Sequence, residues 1–286
     1  MKPSYWPGIS ASFISSLGFA SMDAISKHLV ETVPAAWVLI LRSALIALLI
    51  IAALLLMRRH DWFSSSARGV LALRSLVFGV TSVLVVVAFR YLSLAEAIAL
   101  YFLSPIAIVF LAAWLLGEPI TRRALFATAI GFIGVVLIVQ PQSGGATWHY
   151  ALPLAAAVTG AFQEVLVRRL RATAHPSTIV LYGSLATIVA SIGLVPFDAA
   201  PALSHRELGL LGASALAGVM AFYFVAVSFQ RAPMRIIAPL RYLNIVWAVV
   251  LGFLIWGSVP NTFAAIGIVL IMIAGIACLW TPPNAG

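Results

Sequence analysis

Ten apolar stretches fill this chain, and the last five repeat the first five. Each stretch is long enough to cross a bilayer, since a helix spans roughly 30 Å of hydrocarbon in about 20 residues. Segment 88–139 aligns with segment 228–279 at a constant offset of 140 residues, which places 100–103 on 240–243. Because five is an odd number, a five-span unit that is repeated once must be inserted in opposite orientations. The sequence therefore predicts an all-α, polytopic membrane fold of ten transmembrane helices in two inverted five-helix repeats.

Short connections rich in proline and glycine separate the predicted spans. The spans cover residues 8–29, 35–57, 69–90, 94–116, 122–140, 149–170, 178–197, 206–228, 233–256 and 262–281. The predicted domains are the two repeats, residues 1–145 and 146–286. The first stretch contains Asp23 and Lys27, which is atypical of a cleavable signal peptide, so it is interpreted as the first span.

Composition agrees with a membrane protein and excludes most soluble classes. Hydrophobic residues make up 63% of the chain and charged residues 9%, whereas about 25% of the residues in a soluble domain are charged. The net charge of +9 comes mainly from basic residues in the short loops, so it indicates membrane orientation rather than nucleic-acid binding. The single cysteine, Cys278, excludes an intrachain disulfide, and no cofactor or metal site is predicted.

The distribution of lysine and arginine predicts the orientation. One face carries eleven basic residues and the other carries three, Lys27, Arg90 and Arg206. Because basic loops stay in the cytoplasm, both termini are expected to be cytoplasmic, with the protein in the inner (plasma) membrane.

Several ionisable side chains lie inside the predicted spans, where each costs roughly 2.5–3.5 kcal/mol at the helix centre. They are Asp23, Lys27, Arg42, Arg74, Glu96, Glu164, Arg168 and Arg241. Asp23 and Lys27 are four residues apart, as are Glu164 and Arg168, so each pair shares a helix face and can form an ion pair. Two interpretations stay open: self-satisfied pairs that make insertion tolerable, or groups that act in function.

The depths of these charges suggest a role in gating. Asp23, Lys27 and Arg42 fall in the outer halves of their spans, whereas Glu164, Arg168 and Arg241 fall in the inner halves. We therefore predict one ionic cluster above the midplane and one below it, which would close two mouths of a central cavity in alternation. Arg74 is expected to extend to the cytoplasmic interface. Glu96 is either an interfacial carboxylate or a group that binds or gates.

Aromatic residues mark two corresponding spans. Tyr101 in span four and Tyr242 in span nine lie in the aligned segments, beside Phe102 and Arg241 respectively. Facing a cavity, such rings would stack on a flat or amphipathic ligand and Arg241 would hold an anionic group; the alternative is packing against lipid or neighbouring helices. Phe162 and Tyr223 were candidates for the same cavity.

Spans five and ten lack charges, and their glycines, among them Gly131, Gly134 and Gly267, allow close helix approach. Pro105 and Pro239 interrupt spans four and nine, and each either kinks its helix or breaks it.

The motifs resemble the EamA-type branch of the drug/metabolite transporter (DMT) superfamily over nearly the whole chain. The most specific passages are 88–92, 103–105 and 116–119, and Met22 to Ala24 with Lys27 resembles a subgroup that includes riboflavin and S-adenosylmethionine uptake proteins. The resemblance implies two inverted five-helix repeats around a central cavity and alternating-access transport. One departure is Ser258, which follows Gly257 where an acid is common, so Glu118 has no partner by symmetry.

We therefore predict a secondary active transporter for a small organic metabolite that is amino-acid-like, an amine, or vitamin- or cofactor-like. A channel and a membrane-embedded lipid-modifying enzyme are the alternatives, although the chain lacks the catalytic motifs of an enzyme. The expected partners are the small-molecule substrate and the lipid bilayer, without nucleic acid. The sequence leaves open a coupling proton or an exchange substrate, the direction of transport, and a monomer or a homodimer.

Overall fold

The computed structural model describes residues 5–30, 32–58, 66–91, 100–139, 148–194, 201–256 and 261–279. Within these ranges the chain forms α-helices and one 3-10 turn (Trp148–Tyr150), with no β-strand. The helices are α1 (Trp6–Leu29), α2 (Ala35–Leu56), α3 (Arg68–Tyr91), α4 (Ser104–Leu116), α5 (Arg122–Val139), α6 (Ala151–Arg169), α7 (Pro176–Ile192), α8 (His205–Arg231), α9 (Met234–Leu240), α10 (Leu243–Trp256) and α11 (Thr262–Leu279).

Five of the described helices are long and apolar enough to cross a membrane: α1, α2, α3, α6 with its preceding turn, and α8. Shorter apolar segments are α4, α7 and the Ala265–Ala274 part of α11. The chain is therefore a multi-pass membrane protein, and each predicted span contains at least one helix. The ninth span contains two, α9 and α10.

Local sequence sets the helix ends. Ser204 and Glu207 form a capping box at the start of α8, in which each side chain accepts a hydrogen bond from the other's backbone N–H. At the end of α4, Gly117 adopts a left-handed conformation with φ 67°, which glycine accepts without strain. The capping and glycine residues in the sequence thus determine where these two helices begin and end.

Small residues allow the helices to pack closely around a central space. α1 packs along α8, α3 packs against α6 and α7, and α5 packs against α11. At Gly18 in α1, a Cβ atom would lie only 2.7 Å from the backbone nitrogen of Ala221 in α8. The central space lies between α1, α3, α6 and α8.

Spans four and nine are both interrupted, and the interruptions occupy corresponding positions. In span nine, Pro239 lies within α9, and the N–H groups of Arg241 and Tyr242 bond to the carbonyls three residues earlier, at 3.2 and 3.3 Å. In span four, the N–H of Leu103 bonds to the carbonyl of Leu100 at 3.2 Å. These tight turns have the 3-10 hydrogen-bond pattern, so the proline-containing segment is broken rather than smoothly kinked.

Candidate functional site

A cavity of about 60 Å³ lies at the centre of the bundle. Four phenylalanine rings and several polar side chains line it. The rings are those of Phe19, Phe78, Phe222 and Phe229, and the polar residues are Arg74, Tyr101, Gln163, Glu164 and Arg241. Ligand pockets usually measure about 300–1,000 Å³, so this space is smaller than a typical site for an organic molecule.

Glu164 and Arg241 form an ion pair in the cavity wall. Glu164 Oε1 lies 2.9 Å from Arg241 Nη2, and the two side chains are 6% and 15% exposed. The helix interruption places Arg241 here, with its Cζ 5.1 Å from the centre of the Phe19 ring on α1. The guanidinium is thus held by a carboxylate and an aromatic face.

Arg74 is a cavity residue, and the expectation that it extends to the cytoplasmic interface is wrong. Its side chain is buried, with 5% of the residue exposed. Nη1 donates to the carbonyl of Ile179 on α7 at 3.0 Å, and Cζ lies 4.6 Å from the centre of the Phe78 ring. Arginine can therefore stay in the helical interior because a carbonyl and a ring replace water around its guanidinium.

Asp23 and Arg42 lie next to this group. Asp23 follows Phe19 by one helical turn and interacts electrostatically with both Arg42 and Arg241. Arg42 Nη1 donates to Ser26 Oγ on α1 at 3.0 Å. Arg241 interacts electrostatically with Asp23 as well as Glu164, and Glu164 also interacts with Arg74, so we call Asp23, Arg42, Arg74, Glu164 and Arg241 the connected group. The two ionic clusters on opposite sides of the midplane stay a prediction.

Tyr101 completes the cavity wall opposite α6. Its hydroxyl lies so close to this helix that a Cβ atom on Gly160 would be 3.1 Å from the hydroxyl oxygen. Tyr101, Glu164 and Arg241 therefore line one cavity, and Asp23 interacts electrostatically with Arg241 and Arg42. The binding or gating roles predicted for these residues stay predictions.

Arg168 lies away from this cavity and does not pair with Glu164, so the predicted pairing is wrong. Its Nε is 3.5 Å from Glu118 Oε1, and its Nη1 donates to the carbonyls of Phe229 and Gln230 at 3.3 and 2.8 Å. Glu118 Oε2 accepts the N–H of Met234 at 2.9 Å. We call Glu118 and Arg168 the ionic staple, because they join the loop after α4 to α6, α8 and α9. The position equivalent to Glu118 in the second repeat holds Ser258, so Glu118 has no acidic counterpart there. It forms an ion pair with Arg168 instead.

Tyr242 is also outside the cavity, contrary to its predicted place beside Arg241. It is fully buried, its hydroxyl donates to the Phe102 carbonyl at 3.3 Å, and its ring packs where a side chain on Gly131 would otherwise lie. Tyr242 therefore has a packing role between α10 and α5.

Sequence reasoning missed Arg74, Phe19 and Phe78, and it chose Phe162 and Tyr223 where their neighbours Gln163 and Phe222 line the cavity. Helical spacing could have identified the lining positions on these two helices. Positions 160, 163, 164 and 167 share one face of α6, and positions 222, 225, 226 and 229 share one face of α8. The side chain of Lys27 and the whole of Glu96 lie outside the described residues, so their predicted roles stay predictions.

Comparison with known proteins identifies the family. The model of the EamA-like transporter family matches this chain twice, over residues 6–140 and 147–281. The chain is 32% identical over 275 residues to a pseudopaline exporter, CntI, of Pseudomonas aeruginosa strain UCBPP-PA14, covering 94% of this chain and 95% of that protein.

Two further relatives are also named as transporters, and a solved structure shares the fold. A riboflavin transporter of Rhizobium johnstonii is 30% identical over 183 residues, covering 63% of this chain and 60% of that protein. An S-adenosylmethionine uptake transporter of Rickettsia conorii is 22% identical over 284 residues, covering 98% and 95%. A crystal structure with 20% identity shares the fold, with a TM-score of 0.84 and 96% of each chain covered. These named relatives are transporters rather than enzymes, and the chain belongs to the EamA-like transporter family.

Proposed function

We propose that this protein is a secondary active transporter that moves a small organic metabolite across the inner membrane by alternating access. The observation that carries the proposal is the buried Glu164–Arg241 ion pair in the wall of a closed cavity within a membrane bundle. Charges at such depth are costly and typically mark a substrate pathway. One relative is named an exporter and another an uptake transporter, so either direction remains a candidate. Amino-acid-like, amine and vitamin- or cofactor-like substrates all remain candidates.

Paired helix contacts support the inverted repeat. When a residue of the first half contacts a residue of the second half, their equivalents in the opposite halves also contact each other. The equivalent positions are 140 or 141 residues apart in the sequence. Thr81 bonds to Thr159 between α3 and α6, and its counterpart is Ala221 against Gly18. Gly134 packs on Gly267, and its counterpart is Ala274 with Ala127. Such exchange is expected of a two-fold axis in the membrane plane.

The ionic staple supports a cycle in which the cavity opens on one side of the membrane while it is closed on the other. With the termini in the cytoplasm, as the basic residues indicate, the staple lies on the cytoplasmic side of the cavity. It ties four segments together, and its release would let the halves separate on that side. The proposed cycle opens this side while the opposite side closes.

A substrate screen followed by a flux measurement tests the proposal. The purified protein is heated with amino acids, amines, nucleosides, riboflavin or S-adenosylmethionine, and the stabilising compound is taken into proteoliposomes. A carrier gives saturable uptake that unlabelled compound inside the vesicle accelerates. Flux without saturation or acceleration would indicate a channel, and chemical conversion of lipid would indicate the enzyme alternative.

Neutralising Arg241 tests the site itself. Arg241→Gln should lower accelerated uptake by about tenfold or more, as expected for loss of a charge-assisted contact, while the protein stays folded and membrane-inserted. The matched control is Arg231→Gln, because Arg231 is exposed at the end of α8. Equal uptake by both variants would remove Arg241 from the mechanism.

A further inference from the structure

We propose that Arg74 is an anion-binding subsite of the cavity, which receives a carboxylate or phosphate group of the transported molecule. This inference rests on the proposed function and names part of the chemistry of the substrate. The group enters as an oxyanion and binds the guanidinium without covalent change.

The first step of the argument is a count of charges. Among the described residues of the connected group there are three guanidinium groups, of Arg42, Arg74 and Arg241, and two carboxylates, of Asp23 and Glu164. Glu164 pairs through its Oε1 with Arg241, and Asp23 interacts electrostatically with Arg42. Arg74 therefore contributes the positive charge that the described carboxylates do not balance, and in a low-dielectric interior such a charge attracts an anion.

The second step is the way in which Arg74 is held. Its Nη1 is occupied by the Ile179 carbonyl and its flat face lies on Phe78. Its Nε, although buried, has no hydrogen-bond partner. Two contacts thus orient the guanidinium, and its Nε is an unused donor in a cavity-lining side chain, which is the arrangement that a planar oxyanion can complete.

The third step is the room made for Arg74. Gly183 on α7 lies directly behind the guanidinium, so that a Cβ atom there would be 2.5 Å from Arg74 Nη1. Any larger residue would displace the guanidinium from the Ile179 carbonyl. The helix surface facing Arg74 is therefore shaped to its present position.

Helix α6, which packs against α3, carries unused acceptors in the same cavity. Glu164 Oε2 and Gln163 Oε1 are buried without hydrogen-bond partners and belong to cavity-lining residues. A molecule whose oxyanion binds Arg74 can satisfy them with an ammonium, amide or hydroxyl group. The cavity thus offers an unused donor on Arg74 and unused acceptors on Glu164 and Gln163.

Binding of small probes tests this subsite without knowledge of the substrate. The melting temperature of the purified full-length protein is measured against sodium acetate, inorganic phosphate and acetamide at constant ionic strength set with sodium chloride. Acetate or phosphate should give a saturable rise that neutral acetamide does not give. The anion that binds more tightly identifies the carboxylate or the phosphate as the recognised group.

Variants assign the shift to Arg74. Arg74→Gln should weaken anion binding by roughly tenfold or more, as expected for loss of a hydrogen bond to a charged group, and Arg74→Lys should restore part of it. Arg231→Gln is the matched control and should bind as the unaltered protein does. Gly183→Ala keeps the charge but displaces the guanidinium, and it should weaken binding too; it carries the test if Arg74→Gln fails to fold.

The outcomes separate this inference from the proposed function. The subsite is overturned if acetate and phosphate do not raise the melting temperature of the unaltered protein. It is also overturned if the rise in Arg74→Gln and in Gly183→Ala is as large as in the unaltered protein. Anion binding at Arg74 without accelerated flux of any stabilising compound keeps the subsite and overturns the transporter mechanism. Accelerated flux that Arg74→Gln leaves unchanged, in both rate and half-saturation, overturns the subsite alone.

Discussion

The Glu164 carboxylate interacts with two arginines from different parts of the chain, and it contacts only one of them at ion-pair distance. Arg241 reaches it at 2.9 Å from the interruption of span nine, whereas Arg74 interacts across the cavity. Removing one partner of a buried ion pair leaves an uncompensated charge, while removing both leaves none. The pair therefore makes a prediction about stability that is independent of transport.

The single variants Glu164→Gln and Arg241→Gln should each destabilise the protein, by an amount of about 3–5 kcal/mol for a fully buried pair. The Glu164→Gln change should cost more, because it leaves Arg74 and Arg241 without their shared carboxylate. The double variant should be less destabilised than the sum of the singles. Unfolding in detergent by denaturant measures all three, and additive effects would mean that the two charges are not coupled.

The sequence alone identified the charged residues whose depth inside a predicted span required an explanation. Charges inside a span require a reason, which is the basis of the predictions for Asp23, Arg42, Glu164 and Arg241; of these, Glu164 and Arg241 line the cavity. Their partners were not predictable, because a spacing of four residues predicts a local pair and gives no weight to distant contacts. Arg74 was missed since its position near the start of span three is also typical of a side chain that reaches the interface.

At the scale of elements, close helix approach depends on a few glycines. Gly131 in α5 faces the Tyr242 ring, and any side chain there would overlap the ring. Gly209, near the start of α8, has no atom within 4 Å of the place where its Cβ would lie. Two glycines in helices thus differ only in what surrounds them.

Gly131→Ala should lower the melting temperature, because Tyr242 must leave its packed position and lose its bond to the Phe102 carbonyl; overpacking typically costs about 1–3 kcal/mol. Gly209→Ala should leave it unchanged or raise it, since alanine favours a helix by up to about 1 kcal/mol. Thermal unfolding of both variants in the same detergent compares them. A similar fall for both would show that glycine flexibility, rather than space, is what α5 needs.

Element positions followed from apolar length and punctuation, so the described helices overlap the predicted spans, with ends that differ by a few residues. The exact interruption in span nine did not, because Pro239 is compatible with a kink and the tight turn at Arg241 and Tyr242 depends on tertiary contacts. That turn separates the directions of the two side chains. The prediction that Tyr242 faces the cavity together with Arg241 is wrong because it did not include this turn.

At the scale of the whole molecule, the ionic staple connects segments that alternating access would have to separate. Glu118 and Arg168 bind each other and also the backbones of α8 and α9. The two domain boundaries and the orientation stay predictions, but the staple gives them a common test. The side of the membrane on which the ionic staple lies determines which side of the cavity opens when the staple is weakened.

Glu118→Gln keeps an acceptor for the Met234 N–H but removes the ion pair. In a Cys278→Ser background, a cysteine at Ala226 in the cavity wall should then react faster with an impermeant maleimide in inside-out vesicles. An increase of roughly fivefold corresponds to about 1 kcal/mol, the upper range for a partly exposed pair.

Glu207→Gln is the control for this measurement, because Glu207 accepts from Thr32 and Ser204 at the other end of α8. It should not accelerate the reaction from the cytoplasmic side. Faster labelling by Glu207→Gln, or in right-side-out vesicles only, would contradict the assigned orientation of the staple.

The interruption between α9 and α10 has one more consequence, which concerns how such a protein can evolve. Arg241 faces the ligand space and Tyr242 faces the interface of α5 and α10, although they are neighbours in the chain. Under the proposed function, selection on cargo would act on position 241, while the fit to Gly131 constrains position 242. Divergence of cargo within an otherwise constant scaffold requires this kind of independence between adjacent positions.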